Sequence, residues 1–224
     1  MKGAEKGGHT MLKLHGFFRS SAAFRVRIAL NLKRLSYEQA FVHLRKNEQR
    51  AADYLARNPQ GLVPLLEEDG KRFVQSLAII EYLDETHPVP KLLPEGPEDR
   101  ARIRAIAQVI ACDIHPIDNL RVLRYLAKPL GHGEKDVEEW FNHWIRLGLE
   151  TVEAMLTDPR TGKFCHGDVP GLAEICLVPQ IFNARRYPSL DLTPYPTAMR
   201  VFANCMALDA FKRAAPENQP DFEK

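Results

Sequence analysis

Residues 18–32, FRSSAAFRVRIALNL, decide the fold, because a strand ends and a helix begins within them. Upstream, residues 11–18 alternate between apolar and other side chains, which predicts a strand. Downstream, apolar side chains recur on one face of a helix, at Ala22, Val26, Ala29 and Leu30. The stretch therefore predicts a strand that runs directly into a helix.

Three polar residues stand at this junction: Arg19, Ser20 and Ser21. A serine at a helix start caps the helix by accepting a hydrogen bond from a free backbone N–H. The same helix end carries partial positive charge and spare donors, so it also stabilises an anion such as a thiolate. The residues alone leave both functions open for Ser20 and Ser21.

The bulk properties are those of an ordinary globular protein. The chain has 224 residues, of which 45% are hydrophobic and 27% charged, enough for one or two packed domains. A net charge of +2 argues against a nucleic-acid binder, and no apolar run approaches the ~20 residues that span a bilayer. Residues 1–10 are polar and Gly-rich, which predicts a disordered extension and no signal peptide. We therefore expect neither a nucleic-acid nor a membrane partner.

The cysteines and histidines indicate no metal site. The four cysteines lie far apart and form no CxxC pair: Cys112, Cys165, Cys176 and Cys205. This spacing signals neither a zinc site nor a disulfide framework, and it favours a reducing cytoplasm. The histidines form no HxH or HExxH grouping.

A second informative stretch follows a predicted strand at residues 37–44. In residues 62–67, LVPLLE, a proline interrupts an otherwise strand-like run, although proline cannot donate a ladder hydrogen bond. One explanation is a cis Val63-Pro64 bond that holds the backbone of Val63 outward for an extended peptide ligand. The alternative is a bulge or a simple strand start.

A polar pair again precedes a helix further along the chain. A turn at residues 68–71 and a short strand at 72–74 lead to Gln75 and Ser76, which stand before a helical pattern at 77–85. Ser76 and the first N–H groups of that helix could bind a free carboxylate, and Gln75 can both donate and accept. Capping of the helix is the alternative.

A proline-rich segment at residues 87–97, HPVPKLLPEGP, divides the chain. We predict a first domain over residues 11–87, a linker over 88–97 and an all-helical domain over 98–224.

Long helical patterns follow the linker, at residues 98–126, 135–156, 172–187 and 196–214. His115-Pro116 should bend the first of these, and Pro179 predicts a bend or a late start in the third. Alternate spacing of Arg100, Arg102 and Arg104 predicts solvated side chains.

Six motifs in this order are similar to those of one family: SSAAFRVRIALNLK, NPQGLVPLL, QSLAIIEYLDE, CDIHPIDNLRVLRYL, CLVPQIFNARRY and DLTPYP. They resemble the zeta class of cytosolic glutathione transferases, the maleylacetoacetate isomerases, and the related bacterial maleylpyruvate isomerases. The similarity runs from residue 11 to residue 220. It implies an α/β thioredoxin-like N-terminal domain followed by an all-α C-terminal domain, a cytoplasmic homodimer, and a cis bond before Pro64.

The resemblance also implies a cofactor, glutathione, and a small dianionic substrate. The family positions that contact glutathione correspond here to Val63, Pro64, Gln75, Ser76, His115 and Asn119. The sulfur would lie at the helix start, where Ser20, Ser21 and Arg19 are the implied catalytic residues. The substrate carboxylates would be bound by Arg19, Arg121 and Arg186, since a guanidinium binds a carboxylate through two parallel hydrogen bonds.

The implied reaction is a cis–trans isomerisation, maleylacetoacetate to fumarylacetoacetate, as in aromatic amino-acid catabolism. The glutathione thiolate adds to the cis double bond, the resulting single bond rotates, and the thiolate leaves. Three alternatives stay open: a maleylpyruvate isomerase, a general glutathione transferase that needs no arginines, and a non-catalytic scaffold.

Two positions depart from the family pattern. Ala22 stands where the zeta motif has cysteine, which favours the maleylpyruvate relatives and leaves the glutathione thiolate as the nucleophile. Gly171 stands where the family has a capping threonine, so we expect a stabilising contribution of ~1 kcal/mol to be missing at that helix.

Overall fold

The computed structural model describes residues 11–223, and the extension predicted at residues 1–10 lies outside them. The strands of this part are β1 (Leu12–Gly16), β2 (Tyr37–Phe41), β3 (Leu65–Glu68) and β4 (Lys71–Val74). They form one sheet in the order β2-β1-β3-β4. β1 pairs parallel with β2 and antiparallel with β3, and β4 pairs antiparallel with β3. This is a thioredoxin-like sheet, as the resemblance implied.

The helices of the described residues begin with three in the sheet unit and continue with seven after the proline-rich segment. They are α1 (Ser21–Leu32), α2 (Ala52–Leu55), α3 (Ser76–Thr86), α4 (Pro97–Gln108), α5 (His115–Asp118), α6 (Leu120–Ala127), α7 (Glu134–Met155), α8 (Leu172–Ala184), α9 (Pro196–Met206) and α10 (Asp209–Ala214). A π-helical turn, Val109–Ile114, joins α4 to α5. The fold class is therefore the expected one: a small α/β unit followed by helices. None of these helices is long and apolar enough to cross a bilayer.

One hydrophobic core joins the sheet unit to the helices. The buried side chains of α7 recur every three or four residues, at Phe141, Ile145, Leu149 and Val152. Residues 172–181 of α8 are buried on every side, as expected of a helix that is apolar all round. α8 contacts α1, α4 and α9, so the helix that starts at Ser21 packs directly on the second half of the chain.

Several predicted boundaries need correction. β2 ends at Phe41, because His43 caps a 3-10 turn at Leu44–Lys46. The helix predicted at residues 98–126 leaves regular α-geometry in the π-helical turn before Pro116, where proline withdraws an N–H. The pattern at 196–214 is two helices, separated near Leu208. Pro179 lies inside α8, so the late start is wrong.

The arginines of α4 are not all solvated. Alternate spacing spreads them around the helix, and two of them meet neighbouring elements. The Arg102 side chain is 8% exposed and donates to the carbonyl of Cys165 at 2.7 Å and to Thr161 at 2.8 Å. Arg104 pairs with Glu81 of α3 at 3.0 Å. The prediction was wrong for Arg102, whose partners are distant in sequence, whereas the Arg104 side chain is 30% exposed and stays partly solvated.

Gly171 provides no side-chain cap, as expected, but the start of α8 is bonded in another way. The Glu174 carboxylate accepts hydrogen bonds from the N–H groups of Gly171 and Cys165, both at 2.6 Å. The N–H of Leu172 donates to the carbonyl of Leu92 at 3.0 Å. A Cβ added at Gly171 would lie 2.4 Å from that carbonyl oxygen. The glycine is therefore required by the close approach of the linker.

We accordingly expect Gly171→Thr, which restores the family residue, to destabilise the protein. The added Cβ collides with the Leu92 carbonyl, and overpacking of this kind costs about 1–3 kcal/mol. Urea unfolding measures the change. Gly96→Thr is the matched control, because a Cβ there meets only the Asp99 carboxylate at 3.6 Å. A Gly171→Thr variant as stable as the wild type would contradict this account of the glycine.

Candidate active site

One cavity of about 700 Å³ collects all the predicted site residues. Its walls are the starts of α1 and α3, the segment before β3, and the chain from the π-helical turn to α6. The predicted residues that line it are Arg19, Ser20, Ser21, Val63, Pro64, Gln75, Ser76, His115, Asn119, Arg121 and Arg186. Residues from both predicted domains thus face one another across a single space.

The start of α1 supplies a fixed hydroxyl and free donors. Ser20 is the N-cap residue, and its Oγ accepts a hydrogen bond from the N–H of Ala23 at 3.2 Å. The capping function is therefore present at Ser20. It does not use the hydroxyl proton, which stays available to an anion in the cavity. Ser21 is the first helical residue and lines the same wall.

The Val63-Pro64 peptide bond is cis, which confirms the expectation from the family. The strand begins two residues later, at Leu65, so Val63 is left out of the ladder. Two side chains hold the preceding backbone: Tyr54 and Asn58 each donate to the carbonyl of Leu62 at 2.7 Å. This segment presents backbone groups beside the cavity, where an extended peptide could pair with them.

The start of α3 is shaped for a ligand. Gln75 has φ of 71°, a left-handed conformation that costs a non-glycine residue about 1–3 kcal/mol and clusters at binding sites. Its side chain makes no cap bond to α3, so the capping alternative is wrong for Gln75. Its amide instead donates to Gln60 Oε1 at 2.8 Å. The first N–H groups of α3 are left to face the cavity with Ser76.

The opposite wall is formed by α5 and α6. Asn119 caps α6: its Oδ1 accepts from the N–H groups of Arg121 at 3.1 Å and Val122 at 3.4 Å. This cap fixes the first turn of α6 and therefore the backbone position from which the Arg121 side chain extends. Desolvation, helped by the charges of Arg25 and Arg121, lowers the pKa of His115 to about 3. His115 is therefore a neutral imidazole at physiological pH.

Positive charge dominates the cavity. Among residues 11–223, its lining contains six arginines and one carboxylate, Asp118. Three of the six were predicted, and the others are Arg25, Arg45 and Arg124. Arg25 lies four residues after Ser21, on the same helical face, and this spacing is the signal that could have identified it. Such an excess of guanidinium groups favours a ligand with several negative charges.

Arg186 lies between two adjoining cavities. Its Nη1 donates to Asn183 Oδ1 at 3.0 Å, and its guanidinium carbon lies 5.9 Å from the centre of the Tyr187 ring. Arg186 and Arg19 also line a smaller adjoining cavity of about 350 Å³. The two arginines therefore border the main cavity from the same side, the side of Ser21.

Asp118 should make stability depend on pH. Burial raises its pKa to about 7, although Gln180 and Arg25 oppose the rise. The folded state thus keeps this proton up to about pH 7, whereas the unfolded state releases it near pH 3.8. The free energy of unfolding therefore falls between those values, by up to about 1.4 kcal/mol per pH unit, and then levels off.

Asp118→Asn isolates this contribution, because the other titrating groups are common to both proteins. Urea unfolding from pH 5 to pH 8 should show the wild type losing stability relative to Asp118→Asn up to about pH 7. A stability difference that is constant with pH would show that Asp118 is already ionised at pH 5.

The site fits a thiol peptide with free carboxylates. Two helix starts, the backbone of Val63 and an excess of arginines meet in one cavity, and buried donors of Arg25 have no protein partner within residues 11–223. In the same part of the chain, no group of three or more His, Cys, Asp or Glu side chains could hold a metal ion.

Sequence comparison with known proteins finds a matching family model and relatives that are similar over almost the whole chain. The family model of the glutathione S-transferase N-terminal domain matches residues 10–85. A probable maleylacetoacetate isomerase of Vibrio cholerae is 48% identical over 212 residues, 94% of this chain and 98% of the relative. A maleylpyruvate isomerase of Ralstonia is 48% identical over 94% of this chain and 99% of the relative.

Two solved structures are also similar. The holo structure of a maleylpyruvate isomerase, a bacterial glutathione S-transferase of the zeta class, has a TM-score of 0.92 and 48% identity, covering 94% of this chain and all of that one. A maleylacetoacetate isomerase of Anaeromyxobacter dehalogenans, solved with glutathione in its active site, has a TM-score of 0.86 and 45% identity, covering 96% and 99%.

Proposed function

Because this chain belongs to the maleylacetoacetate isomerases, the zeta class of the glutathione S-transferase family, we propose that it converts a maleyl-type diacid from cis to trans with glutathione as cofactor. The reaction is maleylacetoacetate to fumarylacetoacetate. The observation that carries the proposal is the single cavity in which six arginines and one carboxylate face the starts of α1 and α3.

Glutathione is held by groups from both sides of the cavity. The γ-glutamyl carboxylate binds at Gln75 and Ser76, where the first N–H groups of α3 offer donors. The backbone of Val63, next to Pro64, pairs with the cysteinyl residue of the peptide. His115 and Asn119 lie on the facing wall, and the neutral ring of His115 can accept a hydrogen bond there.

The start of α1 keeps the sulfur ionised. Bound glutathione supplies a thiolate that adds to the double bond and later leaves it, so that rotation can occur in between. The Ser20 hydroxyl donates a hydrogen bond to this sulfur while its oxygen accepts one from the N–H of Ala23. Ser21 and the first N–H groups of α1 add further positive potential, which lowers a thiol pKa.

Arginines hold the substrate. Arg19, Arg121 and Arg186 each bring a guanidinium to the cavity lining, and two carboxylates on one substrate require at least two such partners. Held at both ends, the diacid presents its central double bond to the α1 start. The carbonyl next to that bond gains negative charge during addition, and the nearby guanidinium groups stabilise it.

Maleylpyruvate is the second candidate substrate. The Ralstonia relative and the holo structure at a TM-score of 0.92 both favour it, as does Ala22. The two substrates differ in the chain beyond the reacting double bond. Assay of both, side by side, decides between them through the ratio of kcat/KM values.

The family resemblance also supports an oligomeric state, a cellular location and domain boundaries. From the family resemblance, the enzyme is a homodimer in the cytoplasm, with residues 11–87 as the glutathione-binding domain, 88–97 as the linker and 98–224 as the substrate domain. The chain mass is 25.5 kDa, so gel filtration should give twice this value. Elution as a single chain would contradict the dimer.

Glutathione binding separates this function from a non-catalytic scaffold. A ligand that binds only the folded state raises the unfolding temperature with its concentration. We expect millimolar glutathione to stabilise the protein and immobilised glutathione to retain it. The absence of both effects would favour the scaffold.

A further inference from the structure

Arg25 is a buried guanidinium with too few partners. The residue is 2% exposed and lies on α1, one turn after Ser21. Its Nη1 donates to Ser76 Oγ at 3.3 Å, whereas its Nε and Nη2 are buried with no hydrogen-bond partner in the part of the chain described. Leaving a buried charge without compensating groups is costly, so a bound anion nearby would stabilise this guanidinium.

Arg27 provides the contrast. It lies two residues further along the same helix and is also 2% exposed. All three of its nitrogens donate to backbone carbonyls: Nε to Ala214 at 2.9 Å, Nη2 to Phe18 at 3.0 Å and Nη1 to Phe17 at 3.4 Å. Arg27 thus ties α1 to the C-terminal segment, and it does not line the cavity. Burial of an arginine on α1 does not by itself leave donors unpaired.

The surroundings of Arg25 form a polar layer beneath the cavity. Its charge opposes the rise in the pKa of Asp118 and depresses the pKa of His115, which places all three within electrostatic reach. Gln180 of α8 donates to Asp118 Oδ2 at 2.7 Å. The layer therefore connects α1 and α3 with α5 and α8 behind the binding site.

The hydrogen bond to Ser76 has a directional consequence. Since Ser76 Oγ accepts a hydrogen bond from Arg25, its own O–H points elsewhere, and Ser76 lines the cavity. A carboxylate at the start of α3 would receive this O–H, with the guanidinium charge directly behind it. Hydrogen bonds to charged groups are about twice as strong as neutral ones.

We infer that Arg25 is a positioning residue for the γ-glutamyl carboxylate of glutathione: it orients the Ser76 hydroxyl and places a buried positive charge behind it. The inference rests on the proposed function and adds a residue from outside the predicted set. Two roles follow from one side chain, the orientation of a donor and the electrostatic stabilisation of the bound anion.

Equilibrium binding of glutathione, measured by calorimetry on folded protein, tests the inference. Arg25→Gln should raise Kd about 10- to 100-fold, because a charge-assisted contribution is lost. Arg25→Lys keeps the charge and should recover part of the affinity. In steady-state assays the KM for glutathione should rise more than kcat falls. Arg27→Lys is the control and should leave Kd within about twofold even if it lowers stability.

A second ligand separates positioning from general distortion. A glutathione analogue without the γ-glutamyl carboxylate should bind the wild type weakly, and Arg25→Gln should weaken it little further. Combination with Ser76→Ala should be less than additive, because Arg25 acts through Ser76. If Arg25→Gln does not fold, Arg25→Lys carries the same comparisons.

Three results would overturn the inference. One is an unchanged Kd in a folded Arg25 variant with a lowered unfolding temperature, which is a structural role only. Another is an equal loss of affinity for glutathione and for the analogue. The third is full additivity with Ser76→Ala. If the wild type itself binds no glutathione, the proposed function fails together with the inference, and that outcome is visible before any variant is made.

Discussion

Ser20→Gly should lower kcat by about 100- to 1,000-fold while the protein remains folded, because removal of one preorganised donor to a developing or resting anion has this effect in other enzymes. The hydrogen bond from the N–H of Ala23 to Ser20 Oγ, at 3.2 Å, fixes the Ser20 hydroxyl at the start of α1, where it can donate to that anion. Glycine is the informative substitution. It is nearly as good an N-cap as serine, so stability should change by only a few tenths of a kcal/mol.

The same variant should raise the pKa of the thiol in bound glutathione. Titration of the thiolate absorbance in the binary complex measures this directly, and the pH dependence of kcat should move to higher pH with it. Ser20→Thr keeps both the cap and the hydroxyl, and it should retain most of the activity. An unchanged thiol pKa in Ser20→Gly would mean that Ser21 or the N–H groups of α1, and not Ser20, stabilise the thiolate.

Arg186→Ala should raise KM for the dianionic substrate by about 10- to 100-fold, since a hydrogen-bonded charge contact to a carboxylate contributes about 1.5–3 kcal/mol. The Kd for glutathione should remain nearly unchanged, because Arg186 is not among the residues proposed to hold the peptide. Arg186→Lys keeps the charge without the bidentate geometry and should be intermediate.

Arg185→Ala is the matched control for Arg186. Arg185 is the adjacent residue and is exposed, with its guanidinium carbon 5.4 Å from the ring centre of Phe202, and it does not line the cavity. Its removal should leave KM for the diacid within about twofold, as for an ordinary surface change. Equal effects of the two substitutions would mean that general surface charge, and not a bound carboxylate, governs the affinity.

Local sequence signals were sufficient for much of the site. The strand-to-helix junction at Ser20 and the Gln75-Ser76 helix start each depend on neighbours a few residues away, whereas the cis bond before Pro64 was implied only by the family resemblance. Capping, proline geometry and helix polarity act over that range, so a short stretch carries the information. Only the resemblance to a family predicted that these stretches line one cavity, because no single motif contains that information.

The features that sequence reasoning missed depend on distant partners. Arg102 is buried because loop carbonyls meet it, and Gly171 is glycine because the Leu92 carbonyl approaches it closely. Arg25 lies off the apolar face of α1, and its spacing from Ser21 places it beside the cavity, but its hydrogen bond to Ser76 of α3 could not be predicted from α1 alone. Such contacts join residues more than 50 positions apart, and helical periodicity contains no record of them.

Cis-to-trans conversion of maleylacetoacetate and maleylpyruvate, assayed with and without glutathione, tests whether this protein isomerises a maleyl diacid only when glutathione is bound. We expect turnover of at least one substrate that depends strictly on glutathione and does not consume it. No isomerisation of either substrate, with conjugation of chlorodinitrobenzene still detectable, would contradict the isomerase function and make the chain a transferase whose arginines bind another anion.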